Sequence, residues 1–381
     1  MDFKNYLVPG KTGLLIGIGG VSMSPLAEVL HDAGLDIRGS DMAESSNTLT
    51  LREHGIPIHI GHSADNVTDD ISFVIRTAAV HDDNPEVHEA HRRGIPVFER
   101  TQAWGALMRG YQNALCISGT HGKTTTTSMC THIMMAAEKD PTVMIGGTLP
   151  LLKACHRVGK GNTIIMESCE YYNSFLALNP TIAVVLNIEA DHLDFFKDLE
   201  DIKHSFRCFA ERVPAETGTV IANYDDANTM DALRGIARKV ITFGLNAKAD
   251  VYAQNIVHRG SVSEFDIYHR GNYFARVTLH VPGIHNVRNA LAATAAAIVL
   301  GVSPNAVKYG LAGFEGAGRR FDFKGKFQGA DLYDDYAHHP SELRALLDAV
   351  DTLNYQRTIV VFQPHTYSRT AKLFNDFVEQ L

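Results

Sequence analysis

Apolar runs of strand length alternate with helical segments through the first part of the chain. These runs occupy residues 13–19, 35–41, 71–77 and 95–99. Between the first two runs, residues 24–33 have a helical pattern that ends before Gly34. Strands that alternate with helices predict a doubly wound parallel sheet. The pattern pauses near 109–113, so we expect a first, Rossmann-like α/β domain over residues 1–112.

A second alternating pattern begins at Ala114. Its strands are predicted at 114–118, 162–167, 181–187, 218–223 and 239–243. Residues 251–281 instead alternate polar and β-forming residues, which predicts antiparallel hairpins at one edge of the sheet. The Ala-rich segment 286–300 is predicted to be a helix ended by Gly301. We expect a central α/β domain over residues 113–316.

The remaining residues, 317–381, are predicted to form a third α/β unit. Strands are expected at 331–335 and 358–363, with a helix from Ser341 between them. A typical domain holds roughly 100–150 residues. We therefore expect this C-terminal unit to be a truncated α/β domain.

Composition narrows the possible functions of these 381 residues. The hydrophobic content of 45% and charged content of 20% are typical of a soluble globular protein. A formal net charge of −8 disfavours nucleic acid as a partner, since there is no excess positive charge to neutralise phosphates. No apolar run reaches the ~20 residues of a membrane span. The five scattered cysteines and the lack of a secretory signal predict a cytoplasmic protein without membrane insertion.

The most informative motif follows the predicted strand 114–118. Its residues are Gly119, Thr120, His121, Gly122, Lys123 and Thr124, and a helical segment comes next. Glycines at a strand–helix junction let backbone N–H groups surround a phosphate, and the helix N-terminus adds partial positive charge. Lys123 would reach the β- and γ-phosphates, and the Thr124 hydroxyl would bind Mg²⁺. The motif predicts a nucleoside triphosphate site; a Gly-rich turn without a ligand is the alternative.

Other candidate residues also lie at predicted strand ends. A first glycine cluster, 17–22, resembles a dinucleotide fingerprint whose third glycine is replaced by Ser22, with Asp41 at the end of the next strand. Glu167 ends a strand and suits a hard cation beside Thr124. His192 lies in the loop after 181–187, where it is either a second metal ligand or solvent-exposed.

Three further polar clusters follow predicted strands or begin a helix. Asn286 and Asn289 open the Ala-rich helix, either as caps or as contacts to an adenine edge. The segments 334–340 and 363–370 each follow a predicted strand, and polar clusters in such loops are candidate ligand contacts.

Together these segments resemble the Mur ligases, the ATP-dependent amide-bond ligases of peptidoglycan precursor synthesis. The matching stretches occur in the family's order along the whole chain, at residues 17–24, 119–126, 187–194, 283–290, 318–321, 334–340 and 362–370. The resemblance implies a Rossmann-like N-terminal domain that binds a UDP-sugar, a P-loop central domain that binds MgATP, and an α/β C-terminal domain. It implies ATP and Mg²⁺ as cofactors and UDP-N-acetylmuramate and L-alanine as substrates, joined through an acyl phosphate.

The resemblance also implies roles for individual residues. The implied catalytic residues are Lys123, His192, Arg320 and His338. The implied ATP-binding residues are Gly119, Thr120, His121, Gly122, Lys123, Thr124, Thr125, His285, Asn286, Asn289, Arg320 and Asp335. The implied substrate-binding residues are Gly19, Gly20, Ser22, Asp41, His338, His339 and Arg369. The implied metal ligands are Thr124, Glu167 and His192.

Two departures from the family pattern leave alternatives open. Thr366 stands where some relatives carry Arg, which leaves one substrate contact open, and the third domain is expected to be truncated. No clear Lys occupies the place of the carbamylated Lys of related ligases, where Arg207 is nearby, and this fits the alanine-adding branch. There are two alternatives to an alanine-adding ligase. One is a ligase that attaches a preformed tripeptide to the same UDP-sugar, and the other is a non-catalytic nucleotide- or UDP-sugar-binding fragment. The sequence does not reveal the oligomeric state.

Overall fold

The computed structural model describes residues 2–77 and 79–381. The chain divides into two compact units. The first comprises the residues up to Gln112 together with 156–158 and 177–179, and the second comprises the remainder. Among the described residues, no helix combines the length and apolar character needed to cross a membrane.

The first unit is built on a parallel sheet with the order β3-β2-β1-β4-β5. Its strands are β1 (Thr12–Ile16), β2 (Asp36–Asp41), β3 (Ile58–Ile60), β4 (Ile71–Arg76) and β5 (Val97–Glu99). Its helices are α1 (Ser24–Asp32), α2 (Ser46–Glu53), α3 (Pro85–Arg92) and α4 (Arg100–Met108). Every residue of β1 is buried, as expected of a central strand covered on both faces. The strand order changes direction between β1 and β4, which is where open α/β sheets bind ligands.

A longer sheet, almost all of it in the second unit, has the order β15-β14-β13-β12-β11-β10-β6-β9-β7-β8. Its strands are β6 (Asn113–Ser118), β7 (Thr142–Leu149), β8 (Ala154–Arg157), β9 (Thr163–Glu167), β10 (Ile182–Val185), β11 (Thr219–Asn223), β12 (Lys239–Gly244), β13 (Val251–Arg259), β14 (Val262–His269) and β15 (Asn272–Leu279). The strands flanking β6 are parallel to it, whereas β13, β14 and β15 are antiparallel hairpins. The predicted change from parallel strands to edge hairpins is confirmed.

Helices cover this sheet and bury its apolar faces. They are α5 (Lys123–Ala136), α6 (Leu199–Glu211), α7 (Ala227–Ala232), α8 (Ile284–Val299) and α9 (Pro304–Ala312). Helix α5 packs against α8 and α9, and most residues of the Ala-rich α8 are buried. Small side chains on α8 allow this close approach of helix to helix and of helix to sheet.

Residues 317–381 lie in the second unit and form an antiparallel ribbon and helices. These elements are β16 (Asp322–Phe327), β17 (Ala330–Asp334), α10 (Pro340–Asp351), α11 (Tyr367–Lys372) and α12 (Phe374–Gln380). The strand predicted at 358–363 is wrong, because these residues form neither helix nor strand. No described strand pairs with them, and Val361 is 94% exposed. An apolar run needs a neighbouring strand to satisfy its backbone groups before it becomes part of a sheet.

Replacing Phe265 by Ala is expected to destabilise the second unit by about 3–5 kcal/mol, because the ring is fully buried in the core and its loss leaves a cavity. Urea unfolding followed by fluorescence and circular dichroism measures the change. Tyr309→Ala on the exposed face of α9 is the matched control, since the ring is 68% exposed and its loss should cost within ~0.5 kcal/mol. Equal losses in the two variants would contradict the core assignment.

Candidate active site

The loop between β6 and α5 has a backbone that only glycine accommodates at two positions. Gly119 has a φ of 147° and Gly122 a φ of 82°. A Cβ atom at Gly119 would lie 2.8 Å from the Cβ of Leu186, and one at Gly122 would lie 2.7 Å from the Oδ1 of Asn289. The side chain of Asn187 fixes the loop further, since its Oδ1 accepts a hydrogen bond of 2.8 Å from the backbone N–H of His121. The loop is therefore held in one shape by its neighbours.

Lys123 is the first residue of α5 and folds back over the loop. Its Nζ donates to the Glu170 carboxylate at 3.0 Å and to the Thr120 carbonyl at 3.1 Å. Burial lowers the pKa of Lys123, but the negative charge of Glu170 outweighs it, so the pKa is raised and the amine stays charged. Sequence reasoning missed Glu170, which is 2% exposed. The sequence feature that could have identified Glu170 is its position three residues after Glu167.

Thr124 and Glu167 lie together, as the sequence predicted from their places at a helix start and a strand end. The Thr124 hydroxyl donates to the Glu167 Oε1 at 3.1 Å, and the backbone N–H of Gly146 donates to the Oε2 at 2.7 Å. Hydroxyl and carboxylate oxygens are donors that Mg²⁺ accepts. The pair therefore fits a magnesium ion by the chemistry of its atoms.

His192 lies in the loop after β10 with a positive φ of 52°. Its ring stacks on Tyr171 with centroids 4.3 Å apart, and its Nε2 is 3.8 Å from the Asp191 Oδ2. Burial lowers the pKa of His192, and the nearby Asp191 carboxylate opposes that effect only in part. A neutral imidazole is the form of histidine that binds metals.

His121, the third residue of the phosphate loop, contacts two carboxylates. Its Nδ1 is 3.2 Å from the Glu342 Oε1, and its Nε2 is 3.4 Å from the Glu189 Oε2. Burial lowers the pKa of His121, but the contacts with Glu189 and Glu342 outweigh burial and raise it to about 9. Glu342 lies in α10 and was not predicted as a site residue. The imidazole is therefore a cation paired with carboxylates at neutral pH.

A cavity of about 430 Å³ lies beside the phosphate loop in the second unit. Many predicted ATP-binding residues line it, and these are His121, Gly122, Thr125, His285, Asn286, Asn289, Arg320 and Asp335. The Asn286 Nδ2 donates to the Pro282 carbonyl at 2.7 Å, and the Asn289 Nδ2 donates to the Asn286 Oδ1 at 3.3 Å. Burial lowers the pKa of His285 to about 4, so this ring is neutral at physiological pH.

Arg320 and Asp335 reach the cavity from the segment around β16 and β17. The Asp335 carboxylate accepts backbone hydrogen bonds of 2.7 Å from Phe321 and Ala337, and these bonds fix the loops on which both residues lie. The Arg320 guanidinium lies over the ring of Tyr336, 5.4 Å from its centroid, and 3.8 Å from the Glu342 Oε1. Arg320 therefore presents a positive charge to the cavity.

A second cavity, of about 250 Å³, is lined by His192, His338, Arg369 and Thr366. Arg369 is fixed there, because its Nε and Nη2 donate to the two oxygens of the Asp191 carboxylate at 3.1 and 3.2 Å. His339 is 5% exposed and lies between the phosphate loop and α10, with its ring centroid 4.8 Å from that of His121. Sequence reasoning gave Asp191 no part in holding Arg369.

In the first unit, the predicted substrate-binding residues surround the turn between β1 and α1. The Gly19 N–H donates to the Asp41 Oδ2 at 2.8 Å. The Gly20 N–H donates to the Gly17 carbonyl at 3.1 Å and closes the turn. The Ser22 hydroxyl accepts a hydrogen bond from the Arg100 guanidinium. Arg100, at the start of α4, was not predicted, and its basic side chain beside a Gly-rich turn suits an anion.

Three family models match the chain in order. Residues 15–112 match the "Mur ligase family, catalytic domain", residues 117–297 the "Mur ligase middle domain", and residues 319–381 the "Mur ligase, glutamate ligase domain". Two curated relatives are both named UDP-N-acetylmuramate–L-alanine ligase. The chain is 46% identical to the Agathobacter rectalis protein, over 96% of this chain and 80% of that protein. It is 46% identical to the Clostridium novyi protein, over 99% of this chain and 82% of that protein.

Solved structures resemble the chain over most of its length. The crystal structure of UDP-N-acetylmuramate–alanine ligase from Thermotoga maritima superposes with a TM-score of 0.80 at 30% identity, covering 97% of this chain and 83% of that one. The UDP-N-acetylmuramate:L-alanyl-γ-D-glutamyl-meso-diaminopimelate ligase of Neisseria meningitidis superposes with a TM-score of 0.73 at 26% identity, covering 81% and 99%. On the ordered family matches and the near full-length identity to its relatives, the chain belongs to the Mur ligase family.

Proposed function

We propose that the chain is a cytoplasmic ATP-dependent ligase that joins L-alanine to the carboxylate of UDP-N-acetylmuramate in peptidoglycan precursor synthesis. The single observation that carries the proposal is the cavity beside the phosphate loop, where residues from widely separated segments of the chain converge. The names of the relatives support the choice of substrates.

The nucleotide would lie in the larger cavity, with its phosphates at the loop. Asn286 and Asn289 offer amide groups, and neutral His285 adds an apolar ring face with polar edges. The glycine backbone and the N-terminus of α5 would receive the phosphates. Arg320 would offset the charge of the phosphates, and Asp335 would hold the loops that present Arg320.

Magnesium would be held by Thr124 and Glu167, with His192 as a further ligand. The oxygen donors of the first two fit the ion, and His192 has the neutral form that a ligand requires. A bound divalent ion neutralises phosphate charge during phosphoryl transfer.

Lys123 would gain a second anionic partner when ATP binds. In the structure its charge is matched by Glu170, and a nucleotide's phosphates would join Glu170 beside the amine. The substrate carboxylate would attack the γ-phosphorus and form an acyl phosphate, with ADP leaving. The alanine amine would then attack the acyl carbon, and inorganic phosphate would leave from the tetrahedral intermediate. Positioning and charge neutralisation supply most of the acceleration in such transfers.

The other substrates would be bound by residues outside the nucleotide cavity. His338 and Arg369 line the smaller cavity with His192, which suits an anionic or amine-bearing substrate. His339 would support them from the helix start. In the first unit, Gly19, Gly20, Ser22 and Asp41 would bind the diphosphate and nucleoside of the UDP-sugar at the N-terminus of α1.

Mass spectrometry of a reaction with MgATP, UDP-N-acetylmuramate and L-alanine tests the function. We expect a product heavier by one alanyl residue and an equal amount of ADP. A product formed only with the tripeptide L-alanyl-γ-D-glutamyl-meso-diaminopimelate would favour the activity named for the Neisseria meningitidis neighbour instead. Saturable binding of MgATP without any product would indicate a nucleotide-binding protein and would contradict the ligase proposal.

Lys123→Met is expected to lower the rate of ADP formation by about 10²–10³-fold, because the phosphates lose a cation at the point where charge develops. A coupled ADP assay measures the rate, and circular dichroism shows whether the fold survives. Lys248→Met, at an exposed position after β12, is the matched control and should keep full activity. Undiminished turnover in Lys123→Met would remove the lysine from the phosphate site.

Glu167→Gln is expected to raise the Mg²⁺ concentration for half-maximal activity by about tenfold or more, since a neutral amide oxygen replaces a carboxylate ligand. The measurement is a Mg²⁺ titration at fixed total ATP. His192→Ala should shift the same curve in the same direction. Glu216→Gln, an exposed carboxylate change, should leave the curve in place; coincident curves for Glu167→Gln and Glu216→Gln would exclude Glu167 as a ligand.

A further inference from the structure

A histidine–carboxylate cluster joins the phosphate loop to the segment before α10. It consists of His121, Glu189 and His339. One ligand atom from each lies within 4.8 Å of the other two. The Glu189 Oε2 is 3.4 Å from the His121 Nε2 and 3.9 Å from the His339 Nδ1. These residues come from three separate segments of the second unit, so their convergence is a feature of the tertiary structure.

Two imidazole nitrogens in this cluster are buried without a hydrogen bond. They are the Nε2 atoms of His121 and His339. His339 as a whole is only 5% exposed. Leaving a buried polar nitrogen without a partner costs about 1–3 kcal/mol. The His121 Nε2 faces the Glu189 carboxylate at 3.4 Å, so a bound cation would satisfy both atoms, whereas the His339 nitrogen that faces Glu189 is its Nδ1.

The surroundings orient the cluster as the outer contacts of a metal site do. Glu342 contacts the His121 Nδ1 at 3.2 Å and holds a proton on that nitrogen, so a metal ion that displaced the second proton would bind at the Nε2, which faces Glu189. Histidine ligands of metals characteristically have such a carboxylate on the other ring nitrogen. The Ser341 hydroxyl donates to the Glu189 Oε2, which orients the carboxylate in turn.

We propose that His121, Glu189 and His339 form a Zn²⁺ site that ties the phosphate loop to the segment before α10. Two imidazoles and one carboxylate, with a fourth position open, are a donor set that zinc accepts. Mg²⁺ prefers a shell made mostly of oxygen ligands in octahedral geometry, so two imidazoles with one carboxylate favour zinc over the ion that the ligase would use. Ligands around tetrahedral zinc lie about 3.3–3.5 Å apart, given metal–ligand bonds of ~2.0–2.1 Å. The His121 Nε2 is already 3.4 Å from the Glu189 Oε2 and the His339 Nδ1 is 3.9 Å from it, so closure on zinc would require movement mainly between the two imidazoles.

Ligation by the His339 Nδ1 has a modest local cost. That nitrogen now accepts a hydrogen bond of 3.3 Å from the backbone N–H of Ser341, at the start of α10. Zinc would take the lone pair and leave this N–H to water or to a neighbouring group. Zinc would also replace the proton that His121 carries between its two carboxylates.

The site has a consequence for nucleotide binding. His121 and Glu189 both line the larger cavity, and His121 belongs to the phosphate loop. Zinc bound there would hold the loop against α10 and exclude nucleotide, so micromolar zinc would inhibit turnover competitively with ATP. This consequence rests on the proposed function, whereas zinc binding itself does not.

Equilibrium dialysis of the 381-residue chain against Zn²⁺, without nucleotide, tests the site directly. We expect one tightly bound zinc per chain. His339→Ala and Glu189→Gln should each weaken that binding at least tenfold, while His91→Ala and Glu216→Gln, both exposed, should not change it. Co²⁺ in place of zinc should give the intense visible absorption of a four-coordinate site in the unaltered chain and lose it in the first two variants.

Thermal melts test zinc binding without measuring enzymatic activity. They also show whether each variant is folded. A ligand that binds only the folded state raises the melting temperature, so excess zinc should stabilise the unaltered chain and both control variants but neither ligand variant. No bound zinc at tens of micromolar, or equal binding in the double variant His339→Ala/Glu189→Gln, would overturn the proposal. Failure of the ligase assay alone would leave the zinc result unaffected.

Discussion

Close packing around two glycines determines the shape of the phosphate loop, and the rest of the site depends on that shape. β10 pairs with β6 so that Val185 is opposite Ser118, and the next residue, Leu186, therefore lies against Gly119. On the other side, Asn289 of α8 lies against Gly122. Sheet register and helix packing thus leave no space for a side chain at either position. A side chain at either glycine, or a different backbone conformation of the loop, would require a strand or a helix to move.

The charged residues of the site are neutralised in pairs within the protein. Lys123 is matched by Glu170, His121 by Glu189 and Glu342, and Arg369 by Asp191. Removing one member of a buried pair costs about 3–5 kcal/mol, because the other charge is left without a partner. An incoming phosphate can share a cation with the carboxylate already beside it, so neither buried charge is left without a partner. The structure therefore offers incoming anions cations that are already held in place.

The sequence predicted those features that depend on neighbours along the chain. The strand–glycine–helix context identified the loop, and strand ends identified Glu167 and the residue range around His192. It did not find Glu342 beside His121, because 221 positions separate them and no local pattern encodes the contact. The error at 358–363 has the same origin, since an apolar run indicates a strand only if a neighbouring strand exists to pair with it. The local sequence pattern predicts helices and strands, whereas contacts between residues far apart in the chain complete the site.

Overall charge limits how the proposed substrates are recognised. The chain carries a formal net charge of −8, and both ATP and a UDP-sugar are anions, so the protein as a whole repels them. Because the site cations are already paired, their field also decays within a short distance, and screening by salt shortens it further. Attraction must then arise at contact, when phosphates join Glu170 beside Lys123 or approach Arg320 and the backbone N–H groups of the loop. Recognition in this site is a matter of short-range geometry, which is why the fixed glycine loop and its buried pairs matter more than the total charge.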